Sequence, residues 1–256
     1  MIKVGVLGAK GRMGSLVCQT VRSADDLELV AAVDVGESRD VLKGCDVVVD
    51  FTSPAAVLDS MRWCVQTGLS MVIGTSGFDG PRIAEAGNIV DSAADSPAGA
   101  EATNPRVLVV PNFSVGAVLM MKFAEQAARF FESAEIIELH HAGKIDAPSG
   151  TSARTAAMIA AARSAAGLGP GPDATTTELD GARGAAVNGV HVHSVRLPGL
   201  VAHQEVLLGG HGETLTIRHD SLDRASFMPG VLIAVRGIGS LPPGLTVGLE
   251  GLLGLG

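Results

Sequence analysis

The sequence predicts an α/β protein in which a doubly wound parallel sheet is interrupted by an inserted domain of the α+β type. Two observations favour this fold class. Short apolar segments alternate with longer helical segments over the first 113 residues, and the alternation stops after Pro111. Apolar segments that are buried on both faces and joined by crossover helices are typical of parallel sheets. We therefore expect a differently built domain to follow residue 113.

The elements predicted before Pro111 repeat the order strand, then helix. Five apolar segments are the predicted strands, at residues 2–7, 28–34, 46–51, 70–74 and 106–110. Three segments of helical length separate them, at residues 12–23, 54–67 and 81–91. Two of these begin with a proline, which the first turn of a helix tolerates well. The repetition predicts a parallel sheet with helices on both faces.

After Pro111 the strands come closer together in sequence. The predicted elements are helices at residues 115–131 and 151–165 and strands at residues 134–141, 190–197, 202–208 and 213–219. Strands with few helices between them favour a mainly antiparallel or mixed sheet. A last helical segment, residues 226–237, can return to the first domain. We therefore predict a first domain from residues 1–113 and 228–256, and an inserted domain from residues 114–227.

Composition and charge exclude several classes of function. The chain has 256 residues, a formal net charge of -8, 3% aromatic residues and no tyrosine. It therefore lacks the basic groove and the stacking rings of a nucleic-acid-binding protein, and we expect no such partner. No apolar run approaches the roughly 18 residues of a membrane helix, and no secretory leader is visible, so we expect no membrane association. Three scattered cysteines predict reduced thiols in the cytoplasm, without a disulfide framework or a metal site.

A glycine-rich loop follows the first predicted strand. Gly8, Gly11 and Gly14 are spaced three residues apart, and a predicted helix follows at once. Glycines at a strand-to-helix turn let the backbone approach a pyrophosphate, whose charge is met by amides at the helix N-terminus. Asp34 lies twenty residues after Gly14, at the end of the second predicted strand, where a carboxylate can accept hydrogen bonds from an adenine ribose. The first domain is therefore predicted to be a Rossmann-type dinucleotide-binding domain.

The same loop leaves the choice between NADH and NADPH open. The carboxylate of Asp34 disfavours a 2′-phosphate, which favours NADH. Lys10 and Arg12 can neutralise that phosphate, which would admit NADPH, or they are solvated loop charges. Two further loops, residues 74–78 and 110–113, follow strands at the same predicted sheet edge. Their small and hydroxylated residues can donate hydrogen bonds to a nicotinamide or a ribose.

The densest chemistry lies between residues 138 and 151, where a predicted strand ends and a helix begins. Within five residues stand three potential proton donors or cations: His140, His141 and Lys144. Adjacent histidines on a strand point to opposite faces, so we expect no metal held by this pair. The start of the helix offers amides and hydroxyls that can bind a carboxylate: Ser149, Gly150 and Thr151. The segment predicts an anionic substrate. The alternative is a structural loop with a simple helix cap.

Five motifs follow one another in a fixed order along nearly the whole chain. They are VLGAKGRMG at residues 6–14, DFT at 50–52, GTSGF at 74–78, PNFS at 111–114, and the segment 138–151. Together they resemble the 4-hydroxy-tetrahydrodipicolinate reductase family, also called dihydrodipicolinate reductase, of bacterial lysine and diaminopimelate biosynthesis. The segment 138–151 is the most specific of the five.

The resemblance implies reduction of a cyclic dicarboxylate imine by NADH or NADPH, with loss of the ring hydroxyl as water. It implies that His140 is the proton donor or acceptor and Lys144 the second proton donor. Substrate-binding positions by similarity are His141, Gly150 and Thr151, to which the reasoning on the helix terminus adds Ser149. The implied cofactor-binding positions are Gly8, Ala9, Lys10, Gly11, Arg12, Met13, Asp34, Gly74, Thr75, Ser76, Val110, Pro111, Asn112 and Phe113. A homotetramer built through the sheet of the inserted domain is also implied.

Two positions depart from the pattern of that family. Ser76 stands where a threonine is common, and Gly143 stands where a histidine is common. Two other functions remain open from the residues alone. One is a different small NAD(P)-dependent dehydrogenase built on the same cofactor domain, and the other is a non-catalytic protein that senses the cofactor.

Overall fold

The computed structural model describes residues 1–94 and 105–255, which fall into two compact units. One unit comprises Met1–Phe113 and Phe227–Gly256, and the other comprises Ser114–Ser226. No helix in the described ranges has both the length and the apolar character needed to cross a membrane.

The first unit is a parallel sheet covered by helices. Its elements, numbered in chain order with those of the second unit, are β1 Ile2–Leu7, α1 Arg12–Arg22, β2 Leu27–Val33, β3 Val47–Asp50, α2 Val57–Gln66, β4 Ser70–Ile73, α3 Gly80–Ala94, β5 Arg106–Val109, α6 Met228–Gly237 and β11 Gly244–Val247. Six parallel strands lie in the order β11-β5-β4-β3-β1-β2. All six run the same way, so the glycine-rich loop after β1 and the segments after β2 to β5 meet at one edge of the sheet.

Successive side chains along each strand point to opposite faces, and apolar residues pack in a core on both faces of this sheet. Val4 and Val6 of β1 pack in a cluster with residues of α1 and α6. Val48 of β3 and Met71 of β4 pack on the opposite face with residues of α2 and α3. Strands without a solvent face need apolar residues at every position, which explains the unbroken apolar segments in the sequence.

The second unit is a mixed sheet with two helices on one face. Its elements are α4 Val115–Ala128, β6 Ser133–His140, α5 Gly150–Ala165, β7 Ala185–Val187, β8 Val190–Arg196, β9 Ala202–Gly210 and β10 Glu213–Ser221. The strand order is β10-β9-β6-β8-β7, with β6 and β8 parallel and the other pairs antiparallel. Ile136, Val206 and Leu208 face α4 and α5 in one buried cluster. The predicted fold class is confirmed.

Some element bounds differ from the prediction. β7 and β11 were not predicted. β7 has only three residues, and the four residues of β11 include Gly244 and Thr246 and so lack the apolar run that marks β3 to β5. α2 begins at Val57, so Pro54 precedes the helix and does not lie in its first turn. α3 begins at Gly80, and Pro81 does lie in its first turn.

Candidate functional site

The glycine-rich loop joins β1 to α1 through a turn that excludes side chains. Gly8 has a φ of +76°, and a Cβ atom there would lie 2.8 Å from the carbonyl carbon of Phe51. A Cβ atom on Gly14 would lie 2.7 Å from the carbonyl carbon of Gly8. Gly11 precedes α1 with an extended backbone, and no described side chain caps this helix. The N-terminal amides of α1 thus lie beside a backbone that only glycine permits.

Asp34 follows β2 directly and contacts the glycine-rich loop. The backbone amide of Lys10 donates to its Oδ2 at 2.7 Å, and the amide of Val35 donates to its Oδ1 at 2.8 Å. These hydrogen bonds, the one from Lys10 first, hold the pKa of Asp34 below its usual range. Asp34 therefore presents an ionised carboxylate at the carboxyl end of β2.

The side chain of Lys10 forms an ion pair that the sequence did not predict. Its Nζ atom lies 2.6 Å from Oε1 of Glu37, whose Oε2 accepts a hydrogen bond from the backbone amide of Asp34 at 2.8 Å. The side chain of Lys10 is 73% exposed, so this ion pair is screened by water and Lys10 can exchange Glu37 for another anion. Arg12 is exposed at the first position of α1.

Asp50, the last residue of β3, is a buried carboxyl group between two of the predicted cofactor loops. Its Oδ1 accepts hydrogen bonds from Thr75 Oγ1 at 2.6 Å, Thr52 Oγ1 at 2.8 Å and Thr52 N at 3.0 Å. Its Oδ2 is buried as well. Burial raises the pKa of Asp50 above its usual range, although these hydrogen bonds oppose the shift. The Thr75 hydroxyl, expected to face a ligand, is therefore directed into the protein.

The other positions of the two later loops differ in exposure. Ser76 is exposed, whereas Val110 and Phe113 are buried in the core. A Cβ atom on Gly74 would lie 2.7 Å from the Phe113 ring, which itself packs 5.5 Å from the ring of Phe51. The side chain of Phe113 therefore supports the loop from within. Val110 can contact a ligand only through its backbone.

In the second unit, the end of β6 carries a histidine bonded to a buried carboxylate. His140 Nδ1 hydrogen-bonds Oε2 of Glu138, which is completely buried. The guanidinium group of Arg196 donates to both carboxylate oxygens of Glu138, at 2.8 and 2.7 Å. Burial acts to raise the pKa of Glu138, but hydrogen bonds from Arg196, Ser194 and His140 outweigh it, and the net pKa is lowered. Burial also lowers the pKa of His140, and the nearby Glu138 partly opposes that shift.

The loop after β6 places the next two predicted residues near solvent. His141 is exposed, so the two adjacent histidines differ in environment. Lys144 Nζ lies 2.7 Å from Oδ1 of Asp146, and the charge of Lys144 contributes to the lowered pKa of His140. The backbone carbonyl of Asp146 accepts a hydrogen bond from Arg196 at 2.7 Å. Arg196 thus binds both the carboxylate behind His140 and the loop that carries Lys144.

A chain of hydrogen bonds holds the first turn of α5. Ser149 caps the helix, and its Oγ lies 2.8 Å from Oγ of Ser152, which donates to Oε1 of Gln204 at 2.7 Å. Gln204 donates to Oγ1 of Thr155 at 2.9 Å, and Thr155 donates to the carbonyl of Thr151 at 2.8 Å. Ser149 also donates its backbone amide to Glu138 at 3.2 Å. The helix cap and an anion-binding role are therefore both compatible with this turn, since Gly150 remains exposed.

Within the described ranges, no group of three or more histidine, cysteine, aspartate or glutamate residues is arranged to hold a metal ion. Sequence reasoning gave no role to five side chains of the candidate site, although two of them lie in motifs that it named: Glu37, Asp50, Glu138, Arg196 and Gln204. Glu138 was detectable, because residues two apart on a strand share a face and Glu138 lies two before His140. No local signal identifies Arg196, which reaches His140 through the pairing of β6 with β8.

Two family models match most of the chain. One, described as "Dihydrodipicolinate reductase, N-terminus", matches residues 2–97, and the other, "Dihydrodipicolinate reductase, C-terminus", matches residues 116–253. The chain belongs to the dihydrodipicolinate reductase family. The family predicted from the five sequence motifs is thus confirmed.

Relatives named for this family are similar to the chain along its whole length. The 4-hydroxy-tetrahydrodipicolinate reductase of Cutibacterium acnes is 63% identical over 255 residues, covering 100% of both chains. That of Nocardia farcinica is 60% identical over 256 residues, covering 99% of both chains. A solved structure, the dipicolinate-bound dihydrodipicolinate reductase from Paenisporosarcina sp. TG-14, has a TM-score of 0.79 at 37% identity and covers 98% of this chain and 99% of that chain. The predicted enzyme class, an oxidoreductase, is confirmed.

Membership of the dihydrodipicolinate reductase family implies a nicotinamide cofactor. The residues of the first unit fit such a dinucleotide. A side chain at Gly8 would clash with the backbone of Phe51, and one at Gly14 would clash with the carbonyl group of Gly8. Only glycine therefore permits this tight turn into α1, whose N-terminal amides can meet a pyrophosphate. The ionised carboxylate of Asp34 stands at the end of β2, where it can accept hydrogen bonds from ribose hydroxyls.

Proposed function

We propose that the chain reduces 4-hydroxy-tetrahydrodipicolinate to tetrahydrodipicolinate with loss of water, in lysine and diaminopimelate biosynthesis. The observation that carries the proposal is the cluster at the start of α5. A histidine bonded to a buried carboxylate, a lysine and an ordered helix N-terminus follow one another within residues 138–151. The relative from Paenisporosarcina was solved with dipicolinate, a planar ring with two carboxylates. The carboxylates of such a ring can be paired with Lys144 and with the N-terminal amides of α5.

We assign substrate binding to the unit Ser114–Ser226. The amides of Gly150 and Thr151 lie in the first turn of α5, where the helix dipole favours an anion. His141 and Lys144 add donors on the preceding loop, and Ser149 fixes the turn as its cap. A substrate carboxylate that binds here replaces Asp146 as the ionic partner of Lys144. Both carboxylates of the substrate can then be paired.

We assign cofactor binding to the unit Met1–Phe113 with Phe227–Gly256. The proposed positions are Gly8, Ala9, Lys10, Gly11, Arg12, Met13, Asp34, Gly74, Thr75, Ser76, Val110, Pro111, Asn112 and Phe113. When bound, the reduced nicotinamide supplies the hydride. The amides at the glycine-rich loop bind the pyrophosphate, and Asp34 accepts hydrogen bonds from the ribose hydroxyls. The Thr75 side chain is turned towards Asp50, so Thr75 contributes only its backbone to the cofactor loop.

His140 is the proposed proton donor or acceptor, and Lys144 is the second donor. The reaction takes up one hydride and one proton and releases one water molecule. His140 Nδ1 is engaged by Glu138, which leaves Nε2 for proton transfer. Burial lowers the pKa of His140 in the protein alone, and a doubly negative substrate opposes this shift. We therefore expect a proton to be taken up when the substrate binds.

The cofactor choice follows from Asp34 and Lys10. Asp34 is ionised and repels a 2′-phosphate, so we propose that NADH is preferred. NADPH is also accepted when Lys10 leaves Glu37 and binds the phosphate. Replacing Glu37 by Gln frees Lys10, and we expect kcat/KM for NADPH to rise relative to that for NADH. An unchanged ratio of the two values would contradict this assignment of Lys10.

A coupled assay tests the activity directly. The substrate is generated enzymatically, and the oxidation of NADH and of NADPH is followed by absorbance. We expect His140→Ala and Lys144→Ala to lower turnover strongly while the dissociation constant of NADH, measured by its fluorescence, stays nearly unchanged. Unchanged turnover in both variants refutes their roles. NADH binding without any turnover in the natural protein would instead favour a cofactor-sensing protein.

We also propose a homotetramer built through the second sheet, and a cytoplasmic location. The sheet face opposite α4 and α5 carries charged pairs such as Glu205 with Arg218, and a second copy can pair with such a surface. Light scattering should give four times the chain mass of 26.0 kDa. The three cysteines are free and buried, which fits a reducing compartment.

A further inference from the structure

The carboxylate of Glu138 accepts hydrogen bonds from other residues in addition to His140. It is completely buried, and its two oxygens receive hydrogen bonds from the guanidinium group of Arg196, from His140 Nδ1 and from the backbone amide of Ser149. Arg196 pairs with it through two parallel N–H groups. This fork geometry fixes the carboxylate plane more firmly than a lysine would.

The two residues of this pair come from different strands. Glu138 lies on β6 and Arg196 on β8, whose parallel register places Arg196 opposite His140. Through its second terminal nitrogen Arg196 also donates to the carbonyl of Asp146, on the loop that carries Lys144. Glu138 in turn holds Ser149, the cap of α5. One buried ion pair therefore contacts the histidine, the loop and the helix start.

We propose that Glu138 and Arg196 are positioning residues for the proposed reaction, and that Glu138 fixes His140 with its proton on Nδ1 so that Nε2 transfers the proton. The proposal rests on the proposed function, because it names the residues that orient its acid–base group. Neither residue needs to touch the substrate. A carboxylate behind a catalytic histidine fixes the tautomer of the ring and stabilises its protonated form.

The charges that face His140 act in opposite directions. Glu138 favours the protonated ring, whereas Lys144 and Arg196 disfavour it, and burial disfavours it most. Neutralising Glu138 removes the favourable charge and leaves Arg196 unpaired. The pH at which His140 loses its proton should then fall, and the corresponding limb of the pH–rate profile should move to lower pH.

A matched control lies on the same strand. Glu135 contacts an arginine and a histidine in the same manner, with Arg183 and His193 as its partners, but it lies on the other face of β6. Glu135→Gln therefore removes the same charge from a similar triad that does not contact the loop. We expect it to leave kcat unchanged, with the oligomeric mass measured in parallel.

The test compares Glu138→Gln with Glu135→Gln in the full-length protein. We expect Glu138→Gln to lower kcat by at least about tenfold, up to the order of 10⁴-fold. The NADH dissociation constant should stay within about twofold, and the pH–rate limb should shift to lower pH. Equal kcat and an unmoved pH limb in Glu138→Gln, or an equal loss in Glu135→Gln at unchanged mass, would overturn the proposal.

A measurement on the unsubstituted protein covers the case in which Glu138→Gln does not fold. Long-range ¹H–¹⁵N NMR of labelled histidine reports the tautomer of each ring, and comparison with His140→Ala assigns the signal of His140. We expect neutral His140 to carry its proton on Nδ1. A proton on Nε2 would refute the positioning role. This readout needs no substrate, so it separates failure of this inference from failure of the proposed activity.

Discussion

Substitution of Gly14 by alanine tests whether the start of α1 is built for close approach. The added methyl carbon would lie 2.7 Å from the carbonyl carbon of Gly8 and 3.0 Å from Cα of Ala9, and nearer still to the Gly8 carbonyl oxygen. Ordinary contact begins at 3.4 Å, so the loop must move by at least 0.7 Å. Every contacted atom belongs to the backbone, and no side-chain rotation can relieve the clash.

We expect two effects from this displacement. Overpacking of this kind typically destabilises a protein by about 1–3 kcal/mol, which should lower the midpoint of chemical denaturation. Moving the glycine-rich loop should also weaken NADH binding by at least about tenfold, because the pyrophosphate depends on close approach to these amides. NADH fluorescence gives the dissociation constant, and urea denaturation followed by circular dichroism gives the free energy of unfolding.

Gly239→Ala is the matched control, because nothing lies within 4 Å of a Cβ atom at that position and its φ is not in the left-handed region. The control should bind NADH as the natural protein does. If Gly14→Ala binds NADH with unchanged affinity, the glycine-rich loop is not the pyrophosphate site. An equal loss in both variants would refute the geometric reasoning.

Three further predictions concern buried groups. Asp50→Asn should gain stability relative to the natural protein as pH rises above the usual carboxyl pKa. The raised pKa of Asp50 means that the folded state keeps a proton which the unfolded state has lost, so only the natural protein loses stability in this range. The loss is up to about 1.4 kcal/mol per pH unit until the pH reaches the raised pKa. Leu208→Ala should lower the free energy of unfolding by about 2–5 kcal/mol, because Leu208 is fully buried in the second unit. Ser149→Ala should lower it by about 0.5–2 kcal/mol through loss of the α5 cap, and should raise KM for the substrate.

Each of these predictions has a measurement that can contradict it. Denaturation at several pH values is decisive for Asp50, and a stability difference that stays constant with pH would show that the carboxyl group does not change its protonation in this range. For Leu208, a loss below about 1 kcal/mol would mean that the cluster around it collapses into the space. An unchanged KM in Ser149→Ala would separate the cap from substrate binding.

The parts of the site that depend on local spacing could be predicted from the sequence. The glycine-rich loop and Asp34 lie at fixed distances from one another along the chain, and the structure places them in contact. The direction of side chains could not be predicted in the same way. Thr75 has the hydroxyl expected of a ligand-binding residue, but a buried acceptor on β3 takes its hydrogen bond.

Contacts between residues that are distant in sequence could not be predicted either. Arg196 is 58 residues from Glu138, and only the parallel pairing of β6 with β8 brings them together. Predicting the Glu138–Arg196 contact would have required the order of the strands in the second sheet. The pairing of Lys10 with Glu37 was missed for a related reason. Exposed charges have several partners within reach, and sequence spacing does not select one of them.

The chain of hydrogen bonds at the start of α5 has a consequence for the entropy of ligand binding. Ser152, Thr155 and Gln204 restrain this turn before any ligand arrives, so its amides lose little conformational freedom when an anion binds. Helix ends normally fray and exchange their amide protons quickly with solvent. Here the hydrogen bonds of Ser152, Thr155 and Gln204 oppose such fraying. The affinity of this turn for the proposed anion should therefore depend on these three side chains as well as on the amides themselves.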